Sequence, residues 1–140
     1  MNQLPAAVDL AALLHAAAAA HGEVEARLGT VGLSLAKLAA LKVLSDAGES
    51  LPLTQLAERL SCVKSNITQL VDRLEAEGLV ERQADPTDRR TRLATLTTAG
   101  RKACREGARV QEAAEKDLLR KLTATESRQL AELLTKIGNG

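Results

Sequence analysis

Leucines recur at helical intervals along most of the chain. From residue 5 to residue 28, Leu10, Leu13, Leu14, Ala17, Val24 and Leu28 keep a spacing that predicts one long helix. Pro5 fits its first turn, where a missing N–H costs nothing. The tract Ala16–Ala20 has two readings: alanine is the best helix former, and its small side chain lets a second helix approach closely. Gly29 and Gly32 bracket a turn. Ser34 caps a second predicted helix, which carries Leu35, Leu38, Leu41 and Leu44 and stops at Gly48. LPLTQLAERL predicts a short helix around residues 53–60. After SCVK, the segment SNITQLVDRLEAEG places Ile67, Leu70, Val71 and Leu74 at i, i+3, i+4 and i+7, one apolar stripe ended by Gly78.

The period then changes. LVERQ (79–83) and TRLATL (91–96) predict two short strands joined by ADPTDRRTR, in which Asp85-Pro86 opens a type I turn. Thr97 or Thr98 starts a long helix to about Lys121. Thr123 and Glu126 form a capping box for a last helix, whose Leu130, Leu133, Leu134 and Ile137 make another stripe ended by Gly138. No repeat and no long linker divides the chain. Two helices, a tight turn and a β-hairpin predict a winged helix-turn-helix: a mainly α fold with a small β-hairpin wing.

Composition sharpens this picture. The chain has 140 residues, 45% hydrophobic and 26% charged, which suits one globular domain. It contains no Phe, Tyr or Trp, so its core must be aliphatic. That also argues against the aromatic stacking platforms used on single-stranded nucleic acid. The net charge is only +1, but it is unevenly spread. Residues 1–50 carry three basic side chains against five acids; residues 82–105 carry seven against Asp85 and Asp88. Such a local basic segment is a focused footprint for an anion. No secretory signal is visible, and the longest uncharged run, Leu10 to Gly22, is shorter than the ~18 apolar residues of a membrane span. The expected location is the cytoplasm.

The helix after SCVK turns its apolar stripe inward and leaves Lys64, Ser65, Asn66, Thr68 and Gln69 outward near its N-terminus. A helix fits the major groove of B-DNA, and these side chains suit base edges and phosphates. Arg89, Arg90 and Arg92 lie at or just past the hairpin tip, where a narrow projection can enter the minor groove. Asp88 is expected to hold a wing arginine, Arg90, in a bidentate carboxylate–guanidinium pair.

Residues 53–101, with LAERL, VDRLEAEGLVER, the wing DPTDRR and LTTAGR, resemble the MarR family of bacterial transcription regulators, and the flanking helices fit as well. The resemblance implies a homodimeric winged-helix protein that binds pseudo-palindromic duplex DNA, usually as a repressor. In many family members a small aromatic compound or oxidation of a cysteine releases the DNA. It implies a single domain over residues 1–140, with dimerisation helices at 1–30 and 104–140 and a winged-helix DNA-binding lobe at 34–102. The family's DNA contacts map onto Lys64, Ser65, Asn66, Thr68 and Gln69, with Arg73 at a phosphate and Asp88 and Arg90 in the wing. The expected partners are double-stranded DNA, a second copy and a small-molecule effector, with no membrane.

Two departures stand out. Val63 sits where the family often has a serine that could cap the recognition helix, which leaves Ser61 as the nearby hydroxyl. An effector pocket without aromatics must be aliphatic, with His15, His21 or Arg109 as polar groups. Three rival readings remain: a redox sensor acting through Cys62, a winged-helix protein-interaction module that does not bind DNA, and a protein that sequesters a small molecule. Cys62 and Cys104 otherwise read as small hydrophobic filler. His15 and His21 are six apart, on different helix faces, so no metal site is expected; nor is a cofactor or a catalytic arrangement, and the chain is not read as an enzyme.

Overall fold

Capping side chains set most of the helix starts. The computed structural model describes residues 8–61 and 64–138, with the backbone alone for Lys64 and Ser65. Helix α1 (Leu10–Gly29) begins after Asp9, whose carboxylate accepts the Ala12 N–H at 2.7 Å. The expected start at residue 5 is therefore too early: Asp9 is extended, and Pro5 lies outside the described residues. Ser34 caps α2 (Leu35–Asp46) through the Lys37 N–H. Thr97 caps α5 (Thr98–Leu119) through the Gly100 N–H. The capping box of α6 (Ala124–Gly138) is formed in both directions: Thr123 Oγ1 accepts the Glu126 N–H, and Glu126 accepts the Thr123 N–H at 2.9 Å. These bonds favour the ionised Glu126 and hold its carboxyl below the usual range.

Between α2 and α5 lie β1 (Ser50–Pro52), α3 (Leu53–Arg59), α4 (Lys64–Ala76), β2 (Val80–Ala84) and β3 (Arg92–Leu96). The sheet is antiparallel with order β1-β3-β2; Leu51 faces Ala94, and Arg82 faces Ala94 from the other side. Strand β1 was not anticipated. It has three residues, one of them a proline, and proline is tolerated on such an edge.

The core is aliphatic, as the composition requires. Leu28, Leu38, Leu41, Leu44, Leu56, Ile67, Val71, Leu74 and Val80 are fully buried where α2, α3 and α4 meet the sheet and the ends of α1 and α5. Each such side chain contributes about 1.5–3 kcal/mol. Gly78, at φ +76°, lets the chain leave α4: Leu79 donates its N–H to Leu74 and Gly78 donates to Glu75.

Helix α6 contrasts with this core, for it buries no residue. Leu133 is 55% exposed and Ile137 63%, and Leu10 and Leu14 of α1 are more than half exposed. Among the described residues, no helix is long and apolar enough to cross a membrane.

Candidate nucleic-acid interface

Helix α4 divides its residues as its sequence period requires. Ile67, Val71 and Leu74 are buried and Leu70 is half-buried, which fixes the helix to the lobe. Asn66, Thr68, Gln69 and Arg73 are exposed. Lys64 and Ser65 belong to the first turn of α4, and their side chains lie outside what is described. Cys62 and Val63, with the capping question attached to Val63 and the redox question attached to Cys62, also lie outside the described residues. Asn66, Gln69, Leu70 and Arg73 meet Ala36 of α2 along a shallow cleft of about 270 Å³.

The wing is ordered by two aspartates, each accepting from a backbone N–H and a threonine hydroxyl. Asp85 Oδ1 accepts from the Thr87 N–H at 2.9 Å and from the Thr87 hydroxyl at 2.8 Å. These bonds favour the ionised form and pull the Asp85 carboxyl down from its ordinary range. Asp88 Oδ1 accepts the Arg90 N–H at 3.0 Å, and Oδ2 accepts the Thr91 hydroxyl at 3.1 Å. The expected Asp88–Arg90 guanidinium pair does not form. In a tight turn, an aspartate reaches the N–H two residues on more readily than it reaches the end of that residue's side chain. The Thr91 N–H donates to the Asp88 carbonyl, and the Asp85 N–H to the Thr91 carbonyl, closing the tip.

The consequence is electrostatic. Arg89, Arg90 and Arg92 are exposed, and no salt bridge among the described residues engages them or Arg73. Their charge stays available to an external anion. Arg82 and Arg101 differ: Arg82 pairs with Asp72 and Glu75 of α4, and Arg101 with Glu49. Counting charges along the sequence placed both in one basic footprint. Only the fold shows that their charge is matched internally, although Asp72 and Glu75, three apart on α4, were a readable sign of a waiting cation.

An outward polar helix face beside a cationic hairpin is the arrangement of a winged-helix DNA reader, and known proteins share it. Residues 33–91 match the model of the MarR family. The HTH-type transcriptional repressor Rv2887 of Mycobacterium tuberculosis is 32% identical over 117 residues, 84% of this chain and 84% of that protein. The chain belongs to the MarR family. The HTH-type regulator MhqR of Bacillus subtilis is 38% identical over 69 residues, 49% of this chain and 47% of that protein. Among solved structures, a mutant MarR from E. coli complexed with operator DNA superposes with a TM-score of 0.82 at 28% identity, covering 91% of this chain and 92% of that one. This protein is thus a MarR-family transcriptional regulator with the DNA-binding winged-helix fold.

Within the MarR fold, the remaining candidates take definite places. His15 and His21 are exposed on α1, and Arg109 is exposed on α5. Cys104 is half-buried on α5; burial pushes its thiol up from its ordinary pKa, against the smaller opposing pull of Lys42. That favours the inert thiol over the reactive thiolate. Arg27 of α1 joins Asp117 of α5 at 2.8 Å and Glu23 at 2.9 Å, linking the two long helices.

Proposed function

We propose that this regulator is a homodimeric repressor that binds a pseudo-palindromic operator through α4 and the wing. The observation that carries the reading is the wing itself: three exposed arginines, in no salt bridge among the described residues, on a hairpin whose aspartates are spent on backbone N–H groups and threonine hydroxyls. The recognition residues are Lys64, Ser65, Asn66, Thr68 and Gln69 in the major groove. Arg73 meets a phosphate, and Arg89, Arg90 and Arg92 reach the minor groove, with Asp88 shaping the tip. Support for repression comes from the mycobacterial relative, named a repressor, and support for operator binding from the E. coli MarR complex.

The division of the chain follows. Residues 34–102 are the DNA-binding lobe, and residues 1–30 and 104–140 supply the dimer helices, whose exposed leucines need a cover. Two copies would set their α4 helices in major grooves one helical turn apart, ~34 Å. A small-molecule effector belongs to the proposal. A groove of about 560 Å³ between α1, the end of α5 and α6 is lined by Leu13, Ala17, Leu118, Leu122 and Leu134 together with Lys121, so its contacts would be aliphatic apart from one ammonium, and the expected His15, His21 and Arg109 do not line it.

The direct test is a titration of the protein against duplex DNA from upstream of its own gene, beside a scrambled duplex, at several salt concentrations. Preference for the native duplex supports the reading, and equal weak binding to both removes it. Two variant classes separate the roles. Arg90→Ala should weaken binding to every sequence and lower the salt slope by about one, the signature of one lost phosphate neutralisation. Asn66→Ala or Gln69→Ala should instead cost ~1–3 kcal/mol on the preferred site and relax its sequence preference. If both classes weaken all sequences equally, the division between helix and wing is wrong.

A further inference from the structure

Arg82 stands on β2, at the base of the wing, and its side chain is 22% exposed. Its guanidinium reaches across to α4 at three points. It donates to Asp72 Oδ1 at 2.5 Å, to Glu75 Oε1 at 3.0 Å and to the Thr68 carbonyl at 3.2 Å. The Arg82 backbone N–H donates to the other Glu75 oxygen at 3.0 Å, so one carboxylate grips both the main chain and the side chain of the same residue. Exposed ion pairs usually contribute little. Here, however, one planar fork with several fixed donors spans two carboxylates and a carbonyl, a geometry that lysine cannot copy.

The place of these bonds matters more than their number. Thr68 and Asp72 lie beside Gln69 and Arg73 on α4, and β2 runs directly into the hairpin that carries the free arginines. We infer that Arg82 is a positioning residue that sets the recognition helix against the wing and makes no phosphate contact itself. It also screens two carboxylates that would otherwise face a polyanion from the reading helix. The inference rests on the proposed operator binding and adds to it the part that fixes the two reading elements relative to each other.

The test compares the wild type with Arg82→Gln, Arg82→Lys and Glu75→Gln on the preferred and scrambled duplexes across salt. A wild type that does not discriminate between the duplexes defeats the operator reading, not the brace. For the brace, both Arg82 variants should bind the preferred duplex roughly tenfold more weakly, the scale of one or two lost charge-assisted bonds, with the wild-type salt slope retained. Glu75→Gln decides between posture and charge. It removes a negative charge near DNA, so simple electrostatics makes binding tighter, whereas a loosened brace makes it weaker. A DNA-free readout, amide exchange over β2 and α4, should accelerate in all three variants. It also carries the test if Arg82→Gln melts without cooperativity, because Arg82→Lys and Glu75→Gln are milder. A salt slope lowered by about one in the Arg82 variants, full recovery in Arg82→Lys, tighter binding by Glu75→Gln, or unchanged exchange would each overturn the inference.

Discussion

If the proposed dimer forms through α6, replacing Leu133 and Ile137 by glutamate is expected to split it and weaken operator binding by about 10²–10⁴-fold. Both side chains are more than half exposed on the single chain, so their loss leaves the lobe core of α2, α3 and α4 untouched. In a dimer they would be covered. Each buried leucine or isoleucine contributes about 1.5–3 kcal/mol, and a carboxylate in its place would have to be desolvated without a partner. Losing two anchors and adding two charges exceeds what a helix seam tolerates. The DNA consequence follows from geometry: a monomer reads one half-site and forfeits the second contact made at high effective concentration. Light scattering after gel filtration reads the mass, and the same titration reads the affinity. A variant that stays dimeric removes α6 from the interface. A monomer that binds the operator as tightly as the wild type removes the need for a dimer.

Much of this architecture was readable from the sequence because helical period, caps and turn chemistry agree locally. Ile67, Val71 and Leu74 announced both the buried face of α4 and its polar opposite. Thr123 and Glu126 announced their reciprocal cap. The misses share a physical origin. Strand β1 exists because β3 offers Ala94 and Thr95 as partners to Leu51 and Ser50, a long-range pairing that three residues cannot signal alone. The start of α1 was misplaced because proline tolerates a first turn, whereas Asp9 actively accepts an N–H there. Asp88 was expected to hold the Arg90 guanidinium, because charge pairing suggested it; turn geometry gives its carboxylate the Arg90 N–H and the Thr91 hydroxyl instead and leaves the guanidinium unheld. Arg82 shows the limit most plainly, since a local charge count cannot tell a cation facing solvent from one held between Asp72 and Glu75.

Gly100→Ala should cost about 3 kcal/mol of stability, the largest loss expected from adding a Cβ at any of the described glycines. Gly100 lies in the first turn of α5, where alanine would ordinarily be better than glycine by about 1 kcal/mol. The surroundings reverse that preference. A Cβ at this position would fall 2.0 Å from the Leu79 carbonyl oxygen and 3.1 Å from Leu96 Cδ2. A side chain could rotate away, but a backbone carbonyl cannot move alone. The Leu79 carbonyl accepts the Thr97 N–H at 3.1 Å, while the Thr97 hydroxyl donates to the Gly78 carbonyl and accepts the Gly100 N–H. The turn after α4 and the start of α5 are thus bolted together, and the added methyl must pry them apart. Urea unfolding at fixed protein concentration should show the midpoint falling by roughly 1–3 M with the slope unchanged. Because the same turn leads from α4 into β2, operator affinity should fall as well, before global unfolding begins. An unchanged midpoint would mean that α5 can slide along the sheet without cost, and that the junction between the reading lobe and the long helix is looser than its hydrogen bonds imply.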